Sequence, residues 1–306
     1  MELILKSLLL LTFLFIFSCA EPISPIPLTM DVNMKKVALG EKLFFDTILS
    51  ADNTISCANC HDIENGGDDG LKFSFGINGQ EGDINAPTVL NSVYNFKQFW
   101  NGRARDLAHQ AEGPIENPIE MGHEFNKIIH HLKQTSYKKE FDSLYADGIT
   151  KNNITDAIAE FEKTLITPNA PFDRYLKGNI SAITQEEKEG YELFKSKGCI
   201  ACHHGINIGG NLFNKFGVME DAKSKRLGRY EITKEEADKY YFKVPSLRNI
   251  EYTAPYLHDG RFDTLEDVVK FMARYQLGRT VTKDEIQKIV CFLKSLNGEI
   301  PISRIR

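Results

Sequence analysis

Cys57-Ala-Asn-Cys60-His61 and Cys199-Ile-Ala-Cys202-His203 are two copies of one pattern about 140 residues apart, and their reading decides the fold. C-x-x-C-H is the attachment signature of a c-type haem. Two thiols add to the haem vinyl groups, and the adjacent histidine is then held beneath the iron. A zinc site needs its four ligands in one closed cluster, whereas these pairs lie far apart in sequence. A thioredoxin-like redox pair needs a βαβ context, which neither copy has, and an ordinary disulfide is the remaining competitor, outweighed by two copies that each follow a helical pattern. The spacing therefore predicts two covalent haems, on His61 and His203.

The context repeats with the motif. Gly40-Glu-Lys-Leu43-Phe44 precedes the first site and Gly190-Tyr-Glu-Leu193-Phe194 precedes the second. Leu39, Leu43 and Phe44, like Tyr191 and Phe194, recur at helical spacing, so each haem is expected in its own small helical unit. Thr184–Glu187, Thr264–Asp267 and Thr282–Glu285 read as N-terminal capping boxes. After the last, Ile286, Ile289, Val290 and Leu293 follow the i, i+3, i+4, i+7 pattern, and Gly298 is expected to close that helix. Cys291 lies off that apolar face and reads as a spare thiol. Alternating runs are few, so the fold is expected to be mainly α.

The 306 residues suit about two domains. Hydrophobic content of 42% and charged content of 26% exclude a mainly disordered chain. With 37 Lys+Arg against 42 Asp+Glu the formal charge is −5, which argues against nucleic acid as partner. Leu3 to Phe17 is apolar apart from Lys6, Ser7 and Thr12, too short to span a bilayer and suited to a secretory signal. Cys19 directly after it resembles the lipidated cysteine of a bacterial lipoprotein. The expected organisation is a signal over 1–18, an extended tether over 19–34, and haem domains over 35–170 and 171–306. The location expected is periplasmic, with a lipid anchor.

The sixth ligands decide between a relay and an enzyme, because two strong axial ligands leave only electron transfer and an open face can bind peroxide or oxygen. For the His203 haem, Met272 suits a distal ligand better than Met219, which lies only 16 residues beyond His203. A His/Met pair raises the reduction potential. For the His61 haem, Met121, His109 and His123 all fall at plausible distances, and spacing alone leaves the choice open.

Three further blocks narrow it. Asn85-Ala-Pro-Thr-Val-Leu-Asn91, Gln98-Phe-Trp-Asn-Gly-Arg-Ala-Arg105 and Gln110-Ala-Glu-Gly-Pro-Ile-Glu-Asn-Pro-Ile-Glu-Met121 closely resemble the bacterial dihaem cytochrome c peroxidases. Val244-Pro-Ser-Leu-Arg-Asn249 and Thr253-Ala-Pro-Tyr-Leu-His-Asp-Gly260 are similar to that family's second domain. The resemblance implies two cytochrome c-like helical domains, a low-potential peroxidatic haem on His61 and a high-potential haem on His203 and Met272. It also implies a distal pair of Gln110 and acid/base Glu120, with Trp100 between the haems. A calcium ion at Asn85 and the backbone carbonyls of Thr253 and Pro255 is implied as well. Hydrogen peroxide is the implied substrate, and a small cytochrome c or a copper protein the implied electron donor. The family's tendency to dimerise makes a homodimer an expectation.

The chemistry agrees. Peroxide reduction consumes two electrons and two protons, and a carboxylate over the iron can move a proton to the departing oxygen while an amide orients the peroxide. Two haems hold the two electrons. Arg103 and Arg105 suit either haem propionates or the surface, and His109, His130, His131 and His204 read as surface residues. One departure stands out: Ile77 occupies the position where many family members carry a histidine that caps the peroxidatic iron at rest. Isoleucine cannot ligate iron, so that face is expected to stay open in the oxidised protein. The competing readings are a non-catalytic dihaem carrier with Met121 as ligand, and a related dihaem oxidase that modifies tryptophans of a partner protein. The latter uses tyrosine where this chain has Met272.

Overall fold

The computed structural model describes residues 21–301. Cys19 and the apolar leader lie outside them. Six helices carry the argument: α1 Met34–Phe45, α2 Leu107–Glu116, α3 Lys151–Glu162, α4 Gln185–Lys197, α5 Leu265–Phe271 and α6 Lys283–Lys294. The one sheet among the described residues is an antiparallel pair, β1 Phe213–Lys215 and β2 Tyr241–Lys243. Its register sets Phe213 opposite Lys243.

The repeated Gly-x-x-Leu-Phe has a geometric cause. In the first unit α1 crosses α3 so closely that a Cβ on Gly40 would lie 1.8 Å from the Ala157 carbonyl oxygen. In the second unit α4 crosses α6 in the same way, and a Cβ on Gly190 would lie 1.9 Å from the Lys288 carbonyl oxygen. Four residues on, Phe44 meets Phe161 edge-on at 5.2 Å between ring centroids, and Phe194 meets Phe292 at 5.1 Å. Each unit is thus one glycine-mediated helix crossing locked by a phenylalanine pair.

Local signals account for most helix starts. Thr184 and Thr282 form reciprocal capping boxes with Glu187 and Glu285. Thr264 makes only half of one: its hydroxyl accepts from Asp267 N, but the shorter aspartate bonds the Thr264 hydroxyl and not its backbone N–H. Gly298 corrects the expectation placed on it. Helix α6 ends at Lys294 with Ser295 as its cap, and Gly298 instead lets the chain pass the Thr167 carbonyl, where a Cβ would sit 1.9 Å away.

The junction between the units is buried and polar. Leu165 packs in the first unit and Phe172 in the second. Between them Thr167 takes a hydrogen bond from Asn91 Nδ2 at 2.8 Å and donates to Asn249 Oδ1 at 2.6 Å. The segment from Glu21 to Pro27, expected as a tether, carries no helix but is docked. Ile23 and Ile26 are fully buried, Gly205 N donates to Pro22 O at 2.8 Å, and the Arg248–Asp173 ion pair clamps the strap. Asp173 accepts from Ile26 N and Arg248 donates to Ser24 O.

Candidate haem sites and active centre

Each C-x-x-C-H opens onto its own cavity. Cys57–Cys60 form a single helical turn capped by Ser56 and Asn59, and Cys199–Ala201 form a 3-10 turn directly after α4. His61 Nδ1 lies 3.2 Å from Gly67 O, and His203 Nδ1 lies 3.2 Å from Ile208 O. A carbonyl at Nδ1 fixes the tautomer and ring plane and leaves Nε2 for a metal. Burial lowers the pKa of both imidazoles, that of His203 to about 4, so both are held in the neutral, ligating form. Cys60 beside His61 on the first cavity, with Cys57 one helical turn away, and Cys199 and Cys202 beside His203 on the second fit two covalent haems.

The cavities differ in what faces the histidine. Met272 and His203 both line the second one, where Met272 begins a π-helical turn through Gln276 directly after α5. Single π turns recur at functional sites. Met219 is 59% exposed and absent from the walls. In the first cavity His61 is the one His or Met side chain among the lining residues. Met121 is buried in the first unit's core with Leu39, Leu43 and Ile115, and neither His109, His123 nor Ile77 reaches the wall. The loop carrying Ile77 is stitched to the arm bearing Glu120: Ile77 N donates to Glu120 O at 2.8 Å, and Gln80 Nε2 donates to Pro118 O at 2.9 Å.

Glu120 and Gln110 line the first cavity together with Arg103, Phe99 and Pro114. Asn117 Nδ2 donates to Glu120 Oε1 at 2.6 Å, which leaves Oε2 for chemistry. Burial raises the Glu120 pKa against the opposing pull of Asn117 and Arg103. Arg103 lies with its guanidinium 3.3 Å from the Phe99 ring centroid at this cavity. Arg105 points away and pairs with Asp106.

Trp100 lines both haem cavities. Its indole N–H donates to Asn85 O at 2.9 Å, and its carbonyl accepts from Lys243 N at 2.8 Å. Between the units a further cavity brings Asn85, Thr253 and Pro255 together. Asn85 Nδ2 donates to Leu71 O at 3.0 Å, leaving the amide oxygen available to a cation. Among the described residues no cluster of three His, Cys, Asp or Glu side chains is placed to hold a metal, so a cation there relies on neutral oxygens. Asp68 adds a charge: it lines the same cavity, its Oδ1 has no hydrogen-bond partner, and burial pushes its pKa up to about 7. Neutral oxygens with one carboxylate fit calcium.

Two lining residues escaped sequence reasoning besides Asp68. His258 stacks on Phe242 at 4.3 Å between centroids, meets Trp100 edge-on at 6.0 Å and has its pKa pushed down to about 4 by burial. Glu162, at the end of α3, is buried on the first cavity with Oε2 unpartnered. Both sit inside quoted or helical stretches, but their neighbours come from distant parts of the chain.

Residues 34–181 match the family model for di-haem cytochrome c peroxidase. The chain is 50% identical over 285 residues to cytochrome c peroxidase Ccp of Escherichia coli (strain K12), covering 91% of this chain and 61% of that protein, less than two thirds of its length. It is 47% identical over 292 residues to cytochrome c551 peroxidase of Nitrosomonas europaea, covering 94% of this chain and 87% of that protein. Among solved structures, a MauG-like protein associated with microbial copper homeostasis matches with a TM-score of 0.78 at 26% identity, over 91% of this chain and 93% of that one. The sequence blocks, the paired attachment sites and these relatives agree: this chain belongs to the di-haem cytochrome c peroxidase family.

Proposed function

We propose that the protein reduces hydrogen peroxide to two waters at the haem on His61, with electrons that enter through the haem on His203. The observation that carries this reading is the asymmetry of the two cavities: Met272 faces the second, whereas Glu120 and Gln110 share the first with no second His or Met. Bound haem supplies the redox-active iron and, where a coordination face is free, a seat for peroxide. The protein's part is positioning and proton movement. Glu120 Oε2 accepts the proton of the incoming peroxide and returns it to the departing oxygen, while Asn117 holds Oε1 and fixes the carboxyl plane. The Gln110 amide orients the peroxide, and Arg103 steadies the ionised Glu120. One peroxide, two protons and two electrons give two waters.

Trp100, on the wall of both cavities, is the bridge between the haems in this reading. A calcium ion held by Asn85, Thr253 and Pro255, with Asp68 supplying charge, keeps the interface in register. The leader ending at Cys19 supports a periplasmic protein carried on a lipid. A small cytochrome c or copper protein is the donor in this scheme. Stopped-flow mixing of the holoprotein with peroxide, before and after one-electron reduction, tests the reading. Rapid consumption of stoichiometric peroxide supports it, and an inert protein in both states refutes it in favour of a pure electron carrier.

A further inference from the structure

Lys243 is an unexplained charge in the interior. It is 5% exposed, lies in β2, and lines the second cavity together with His203 and Met272. Its position is fixed by the strand pairing and by its backbone N–H, which donates to Trp100 O at 2.8 Å. Among the described residues its ammonium makes no hydrogen bond and no ion pair. No carboxylate lines the second cavity. Asp68 shares the adjoining interface cavity with Lys243 but makes no ion pair with it. Burial alone lowers its pKa, to about 8, with no charged neighbour contributing. The other lysine on this wall, Lys215, is exposed.

A buried ammonium without an anion is strongly unfavourable, and an anion arriving in the cavity relieves that cost. The group that the two cysteines and His203 are built to hold carries two carboxylates of its own. We propose that Lys243 is the buried counter-cation of a propionate on the His203 haem and that it raises this haem's reduction potential. The inference rests on the reading of His203 as ligand to a covalent haem. A positive charge held by a strand beside the haem favours the state with one more electron. Cancelling a propionate removes the anion that would favour the oxidised state. The charge thus acts in the same direction as sulfur ligation by Met272, and independently of it.

The test is an optical redox titration of the purified holoprotein, wild type against Lys243→Gln and Lys243→Arg. Intact mass is read first: two covalent haems are expected, and one or none sinks the underlying reading separately. Lys243→Gln is expected to lower the reduced-to-oxidised ratio of the His203 haem at a fixed poise at least tenfold, about 59 mV for one electron. The His61 haem should move less than threefold. Lys243→Arg, which keeps the charge, should stay within threefold of wild type. A Gln variant within threefold of wild type overturns the proposal, as does an Arg variant shifted as far as Gln. If Lys243→Gln does not retain haem, the Arg variant decides: haem retained at the wild-type potential supports the pairing, and haem lost there too overturns it.

Discussion

Replacing Glu120 by Gln isolates proton transfer from packing. The amide is nearly isosteric, and its Oε1 can still accept from Asn117 Nδ2, now at 2.6 Å, so the arm and its bond to Ile77 should survive. What is lost is the basic Oε2. Loss of a positioned acid/base group slows reactions by roughly 10²–10⁴, about 2.7–5.4 kcal/mol at 1.36 kcal/mol per tenfold. The pH profile adds a sign. Burial raises the Glu120 pKa above the ordinary value of 4.5, and the carboxylate is the form that takes the peroxide proton. The wild-type rate constant should therefore rise with pH through an ionisation above 4.5 and then level off, while Glu120→Gln should be slow and lack that limb. Single-turnover stopped flow of the fully loaded variant, followed at the haem bands from pH 4 to 8, measures both. A variant as fast as wild type, or a slow one with the limb intact, would falsify the assignment of Glu120 as proton carrier.

Because no histidine stands at position 77 and the first cavity's wall holds no second ligating imidazole, oxidised wild type should react with peroxide without prior reduction; a lag removed only by one-electron reduction would contradict this. Stripping calcium with a chelator should lower both activity and melting temperature, restored by added calcium, and Asp68→Asn should weaken calcium binding in calorimetry; an Asp68→Asn isotherm equal to wild type removes Asp68 from the site. Gly40→Ala drives a methyl into the Ala157 carbonyl and Gly190→Ala does the same at Lys288, so each should cost about 1–3 kcal/mol or more by thermal or denaturant unfolding. Unchanged melting in either would show that the crossing relaxes freely. Asp173→Ala leaves Arg248 buried without its anion and should cost roughly 3–5 kcal/mol, with earlier proteolysis of the strap as the readout; equal protease resistance argues against the clamp.

Much of this arrangement is legible in the chain because it is written locally. The two C-x-x-C-H copies, the Gly-x-x-Leu-Phe repeats and the Thr184 and Thr282 caps each depend on residues within a few positions of one another. Distance along the chain separates Met272 from Met219, which lies only 16 residues beyond His203. The structure puts the first on a cavity wall and leaves the second exposed. What the sequence hides is long-range. Gly298 looks like a helix stop but answers to Thr167, which lies 131 positions earlier. Asp68 and Lys243 look like ordinary charged residues, and only the chain's return through β2 and the 253–258 segment buries them, Asp68 with Oδ1 unpartnered and Lys243 without an anion. Glu21 to Pro27 looks like a free leash because proline-rich composition reports backbone extension and is silent about what the backbone lies on.

That strap has a bearing on where electrons enter. Pro22 hydrogen-bonds to Gly205, two positions beyond His203, and Pro22 lies only three positions beyond Cys19. Extended chain reaches at most about 3.6 Å per residue, so a lipid on Cys19 would hold Pro22, the residue bonded to Gly205, within roughly 11 Å of the lipidated residue. Such a short mooring would hold the half that carries His203 close to the membrane, where the proposed entry of electrons would suit reductants that travel along that surface.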